Sequence, residues 1–194
     1  MIDNVLTILK NKLNDSENGL KDDDGEIAVV ADIAKHEDDT AGLDNKVVIT
    51  LLSVEEESTM KNTSRYNQVK VGNTPIRYDL ESTPAYLNLY VMIAANRNAY
   101  DKALANVSKV IEIFQKNNVL EYFDSVTPSN SFKFRIELHS IPFEQLSYIW
   151  GLLGGKVMPS ALYKISVIKI ASTDHTEVEL INKVNINSIK VNQE

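Results

Sequence analysis

Three histidines, His36, His139 and His175, are the side chains of this sequence best suited to metal binding or to proton transfer near neutral pH. None has a second histidine two or four residues away, so a metal site would need ligands from distant segments. His36 and His175 fall in polar stretches and His139 on the outward side of an alternating run, which reads as solvated or capping for all three. Carboxylates cluster at Asp22–Asp24, Glu37–Asp39 and Glu55–Glu57. The run Asp22-Asp23-Asp24-Gly25 has the acid density of a calcium loop but lacks its alternating ligand spacing and terminal glutamate, so it reads as a solvated turn. No glycine-rich dinucleotide or phosphate loop and no GxSxG elbow is present. Cysteine is absent, which removes thiol catalysis, thiolate metal sites and a disulfide framework. Nothing in the sequence calls for a cofactor or a metal. One catalytic arrangement stays open: a small-ligand or hydrolase-like enzyme site on an α+β sheet, using His139, Glu137 and neighbouring carboxylates. It requires a closed pocket in which His139 meets a second polar side chain.

The elements that would carry these residues are legible from periodicity. Ile2, Val5, Leu6, Leu9 and Leu13 lie on one side of an N-terminal helix. Residues 26–33 and 46–54 read as two strands joined by a polar stretch, an antiparallel hairpin with a long loop. Residues 57–84 show no sustained period, although Tyr66–Val71 suits a short strand, and long connections of this kind are often working surfaces. Tyr86–Ala95 is almost wholly apolar, as in a strand covered on both faces. Ala99–Lys116 is a strong helix, with Tyr100, Ala103, Leu104, Val107, Ile111 and Phe114 as its core stripe. Phe132–His139 alternates, with Phe132, Phe134, Ile136 and Leu138 inward.

The most informative stretch is 142–170. Pro142 suits the first turn of a helix with Ser140 as its cap. Phe143, Leu146, Ile149, Trp150 and Leu153 form one apolar face. Gly154 and Gly155 close the helix in left-handed conformations, Pro159 prevents a restart, and a strand with Tyr163 follows. Tyr86, Tyr90, Tyr148 and Tyr163 read as core members with hydroxyls near the surface. The fold class is α+β: one mixed, mainly antiparallel sheet with helices packed on it, the two buried helices covering one face.

With 194 residues, 43% hydrophobic and 24% charged, the chain has the balance of a globular domain rather than a disordered one. A net charge of −7 argues against a general nucleic-acid binder, which needs a basic face. No apolar run approaches the ~18–20 residues of a membrane span, so no direct membrane insertion is expected.

Three stretches together resemble a known family: VEEESTMKNT at 54–63, YLNLYVMIAANRNAYDKAL at 86–104 and FEQLSYIWGLLGGKVMPSALYK at 143–164. The chain is similar to the tail-terminator or cap proteins of extracellular contractile injection systems, the phage-tail-like particles that include the Photorhabdus virulence cassettes and antifeeding prophages. The resemblance implies a tail-terminator-like α+β domain over residues 1–171 with an arm at 57–84, followed by edge strands or a tail at 172–194. It implies no catalytic residue and no cofactor. The implied role is structural, a six-fold ring that closes the distal end of the inner tube and sheath. Such a protein is made in the bacterial cytoplasm and built into a particle that is released or membrane-attached. Contacts are expected at the root and along the arm, at Glu55, Glu56, Lys61, Asn62, Tyr66, Arg77 and Tyr78. Trp150, Gly154, Gly155, Pro159 and Tyr163 are expected to hold the core.

Overall fold

The computed structural model describes residues 2–20, 25–38, 41–57, 66–71, 74–81, 85–126, 131–170 and 175–178. Asp22–Asp24, Lys61, Asn62 and the tail beyond 178 lie outside the described residues. The chain falls into two compact units, one formed by 1–58 with 86–170, the other by 59–85 with 171–194.

The larger unit is a six-stranded sheet with helices on both faces. Its strands are β1 (Ala28–Val30), β2 (Lys46–Glu56), β5 (Ala85–Asn96), β6 (Val119–Tyr122), β7 (Phe132–Leu138) and β8 (Ser160–Ile170). They stand in the order β1-β2-β5-β8-β7-β6. β2 is antiparallel to β5, β8 to β7 and β7 to β6. Between β5 and β8, the Ala95 N–H donates to the Pro159 carbonyl at one end and Ser166 Oγ donates to Asn88 Oδ1 at the other. The chain positions rise on one strand as they fall on the other, so this pair is antiparallel too.

The exception is the β1–β2 edge. Ala28 pairs with Val47 and Val30 with Ile49, which makes the pair parallel and corrects the expected hairpin. A parallel return needs a crossover of about a dozen residues or more, and residues 31–45 supply it. They include a 3-10 turn at Ile33–Lys35, and the expected strand stops at Val30. Buried Thr50 locks the crossover: its Oγ donates to the Ala31 carbonyl at 2.8 Å and accepts from the Ile33 N–H at 3.2 Å. Asn14, just past the first helix, holds the other end of β1 by donating to Ala28 O and accepting from the Ile27 and Ala28 N–H groups.

Helices α1 (Ile2–Leu13) and α2 (Tyr100–Lys116) cover one face, and α3 (Phe143–Leu152) covers the other. The core is correspondingly double. Leu89, Val91, Ile93 and Ala95 of β5 pack with Leu9 and Leu13 of α1 and Val110, Ile113 and Phe114 of α2. The alternate residues Met92 and Ala94 pack with Ile33, Met158, Leu162 and Trp150 of α3. A strand buried on both faces must be apolar at every position, which is why β5 lacks alternation. The expectation that α2 and α3 share one face is therefore wrong. Periodicity reports that a helix has a buried side, but not which side of the sheet receives it.

The stripes themselves are also displaced. In α2 the buried set is Ala103, Val110, Ile113 and Phe114, while Tyr100, Leu104 and Ile111 are exposed. Its apolar sector is wider than the sheet can cover. In α3 Phe143 is exposed, although its seven-residue spacing puts it on the same side as Trp150, so the first turn overhangs the core. Pro142 occupies the N-cap rather than the first turn, and no side chain caps the helix, Ser140 included.

The smaller unit is a three-stranded antiparallel sheet in the order β3-β4-β9, built from β3 (Tyr66–Val71), β4 (Thr74–Glu81) and β9 (His175–Val178). Tyr66 pairs with Leu80, and Tyr78 pairs with Gln68 on one side and Val178 on the other. Two segments far apart in sequence thus complete one sheet.

Candidate binding groove

Beside α3 lies an open groove of about 460 Å³, lined by Leu52, Ser53, Glu55, Tyr90, His139, Ile141, Ile149, Leu152, Leu153 and Leu162. Its walls are aliphatic, from α3 and from β8, and its polar groups sit together on β2, β5 and the end of β7.

A bulge in β2 decides which residues face it. Up to Leu51 opposite Val91, the odd-numbered residues Val47, Ile49 and Leu51 face α1 and α2. The register then slips, and Ser53 rather than Leu52 stands opposite Tyr90. One extra residue reverses the facing of everything after it. Leu52, Ser53 and Glu55 consequently face α3, with Glu55 opposite Asn88, while Val54 and Glu56 turn to the other side. Unbroken alternation would have put Val54 in the groove and Glu55 out of it.

Within the groove the Tyr90 phenol lies near the Glu55 carboxylate; burial first, and then the nearby Glu55 charge, holds the phenol above its ordinary value. The His139 ring meets Tyr90 edge-on, with centroids 5.2 Å apart. His139 is half-buried, and its backbone N–H donates to Leu162 O. It is therefore not a solvated surface histidine. The catalytic arrangement read from the sequence is met only in part, because His139 touches a tyrosine ring in an open groove while Glu137 ion-pairs with Arg135 at 3.5 Å.

The end of β2 is tied down by a residue the sequence did not single out. Asn88 is buried; its Nδ2 donates to Glu57 Oε2 at 2.8 Å, and its Oδ1 accepts from Ser166. Lys164 approaches the same Glu57 oxygen at 3.8 Å. A buried asparagine in an otherwise apolar strand signals such a junction, since its amide must find partners.

The expected core residues fall in two places. Trp150 is buried in the α3-side cluster, with its indole N–H lacking a partner among the described residues. Gly154 and Gly155 have φ of +103° and +80°. The Gly155 N–H donates to the Trp150 carbonyl at 2.8 Å, closing the helix in a Schellman turn. A Cβ on Gly154 would come within 3.1 Å of His36 Cε1, and His36 is buried here rather than solvated, its Nδ1 2.9 Å from Ile33 O. Pro159 joins β8 to β5 through its carbonyl. Tyr163 belongs to the opposite core, edge-on to Phe114, and its hydroxyl is buried rather than near the surface. Tyr148 is exposed, not a core member.

The expected contact residues that are described belong to strands of both units. Glu55 lines the groove, Glu56 is on the reverse side of β2, and Tyr66, Arg77 and Tyr78 are in the smaller sheet. Among the described residues, no group of three metal-ligating side chains comes together, and no helix is long and apolar enough to cross a membrane.

This mixed sheet with three helices places the chain in the class of α+β tail-terminator folds. The sheath/tube terminator of an extracellular contractile injection system (PVC) in its extended state superposes with a TM-score of 0.59 over 100% of this chain, at 14% identity. The tube terminating cap of the anti-feeding prophage superposes with a TM-score of 0.57 over 96%, at 12% identity. The chain spans 66% and 60% of the lengths of these two proteins. Residues 4–183 match the Pvc16 N-terminal domain, and the chain belongs to that family. No curated protein sequence matches it.

Proposed function

We propose that this chain is an assembly protein that ends the inner tube and sheath of a contractile injection particle, working by binding and without turnover. The observation that carries the reading is membership of the Pvc16 N-terminal domain family over 4–183, joined to a terminator fold along the whole chain. Its partners in this reading are other copies of itself, arranged as a hexameric ring, and the last layer of tube and sheath subunits. It is made in the cytoplasm and incorporated into the particle. A cyclic ring needs two unlike patches on each protomer. Exposed apolar residues on opposite faces of the sheet, Tyr100 and Leu104 on α2 and Tyr148 and Leu152 on α3, support that requirement. The arm at 57–84, with Glu55, Glu56, Lys61, Asn62, Tyr66, Arg77 and Tyr78, is the proposed contact region toward neighbouring subunits. The edge strands or tail at 172–194 follow the domain of residues 1–171 and add system-specific contacts.

Deleting the gene and imaging the particles tests this reading. Tubes of uncontrolled length or unstable sheaths are expected; capped particles of normal length would sink it.

A further inference from the structure

We infer that the groove beside α3 is a docking site for a segment of another chain in which an arginine or lysine is flanked by branched apolar residues. Two features define this ligand chemistry. The aliphatic walls, Leu52, Ile141, Ile149, Leu153 and Leu162 with exposed Leu152 at the lip, take an apolar side chain, and about 460 Å³ accommodates one or two of them. The single formal charge in the lining is Glu55.

Glu55 stands apart from the other acids of the sheet. Glu57 has Lys164, Glu137 has Arg135 and Glu121 has Lys133. Among the described residues Glu55 forms no ion pair; the side chain nearest it in the lining of the groove on β5 is Tyr90. A carboxylate at the end of an apolar trough, backed by a tyrosine ring, is complementary to a cationic head whose aliphatic stem lies along the wall. It is also there by a specific device, because the β2 bulge that turns Glu55 into the groove interrupts the sheet ladder to do so. Bulges recur where a strand must re-aim a side chain.

The ligand chemistry stands on these residues alone; only the expectation that the segment comes from a neighbouring copy of this chain, whose ring contact includes the α3 side with Leu152, rests on the proposed function. The test titrates the full chain with acetylated, amidated Leu-Arg-Leu, Leu-Gln-Leu and Leu-Glu-Leu, following backbone NMR shifts. Saturable shifts at Leu52–Glu55, Tyr90, His139 and Ile149–Leu153 are expected with the arginine peptide, and binding about fivefold weaker for the glutamate one. Glu55→Gln should erase that preference, and Glu55→Lys should reverse it; Glu55 is exposed, so neither should unfold the chain. Leu152→Ala should weaken all three peptides together. No shifts with any peptide, shifts elsewhere, or a preference indifferent to Glu55 would overturn the inference. Because deletion of the gene is read on particle length and the peptides on the isolated chain, the two ideas fail separately.

Discussion

Gly154 shows how one residue can be constrained from two directions. Its φ of +103° lies where side chains are strained, and a Cβ would stand 3.1 Å from Cε1 of the buried His36 ring, which would have to give by a few tenths of an ångström. Gly154→Ala should therefore lower stability by about 1–3 kcal/mol, read from urea unfolding. Gly155 also has positive φ, but nothing stands within 4 Å of its would-be Cβ, so Gly155→Ala should carry the backbone strain without the clash and cost less. Trp150 is the only tryptophan and is buried between α3 and the sheet, so Trp150→Ala should cost about 3–5 kcal/mol. Tyr163 offers a test through pH. Burial pushes its phenol up to about 12 from 10.0. Above pH 10 the unfolded chain releases this proton while the folded chain keeps it until about 12, so stability falls as pH rises across that window. Tyr163→Phe should remove that part of the alkaline decline, measured as the difference between the two unfolding free energies at each pH. At neutral pH it should be neutral or stabilising, since the hydroxyl has no partner among the described residues and Phe keeps the edge-on contact with Phe114.

At the scale of elements, the β2 bulge and the Asn88 junction do different jobs on neighbouring rows of the sheet. The bulge sets which side of β2 faces the groove; Asn88 holds the strand end by bridging Glu57 and Ser166. Asn88→Ala should cost about 1–3 kcal/mol by stranding those partners, checked by thermal or urea unfolding. In the smaller unit, β4 is the central strand and β9 pairs along Tyr78–Glu81. A two-stranded hairpin alone is marginally stable. Truncation after residue 171 should accelerate hydrogen exchange across Thr74–Glu81 while leaving β2 and β5 protected.

For the molecule as a whole, the consequence of helices on both faces is that the strongly apolar β5 is enclosed while each outer helix keeps apolar residues to spare. Tyr100 and Leu104 on one side, and Tyr148 and Leu152 on the other, belong to no core. In the ring proposed above they are the two unlike patches. Leu104→Glu and Leu152→Glu should each leave the fold intact yet block assembly onto particle ends, scored by imaging. An equimolar mixture of the two variants should pair once, through the intact patch of each, and stop there.

The periodic segments were readable before any coordinates, because local spacing of apolar residues and the turn residues Gly154, Gly155 and Pro159 act within a few positions of themselves. That is why α1, α2, β5, β7 and the helix–turn–strand unit at 142–170 stand where the amino acids put them. Other features depend on residues that meet only after folding. The parallel β1–β2 edge hinges on Thr50 reaching across to Ala31 and Ile33, and β6 is held by its pairing with β7. The partition of α2 and α3 between two faces is invisible to either helix alone. Glu55 is the clearest case: its type is written in the sequence, but its direction was decided by a one-residue slip against β5, because a strand has only two sides and tertiary register chooses between them.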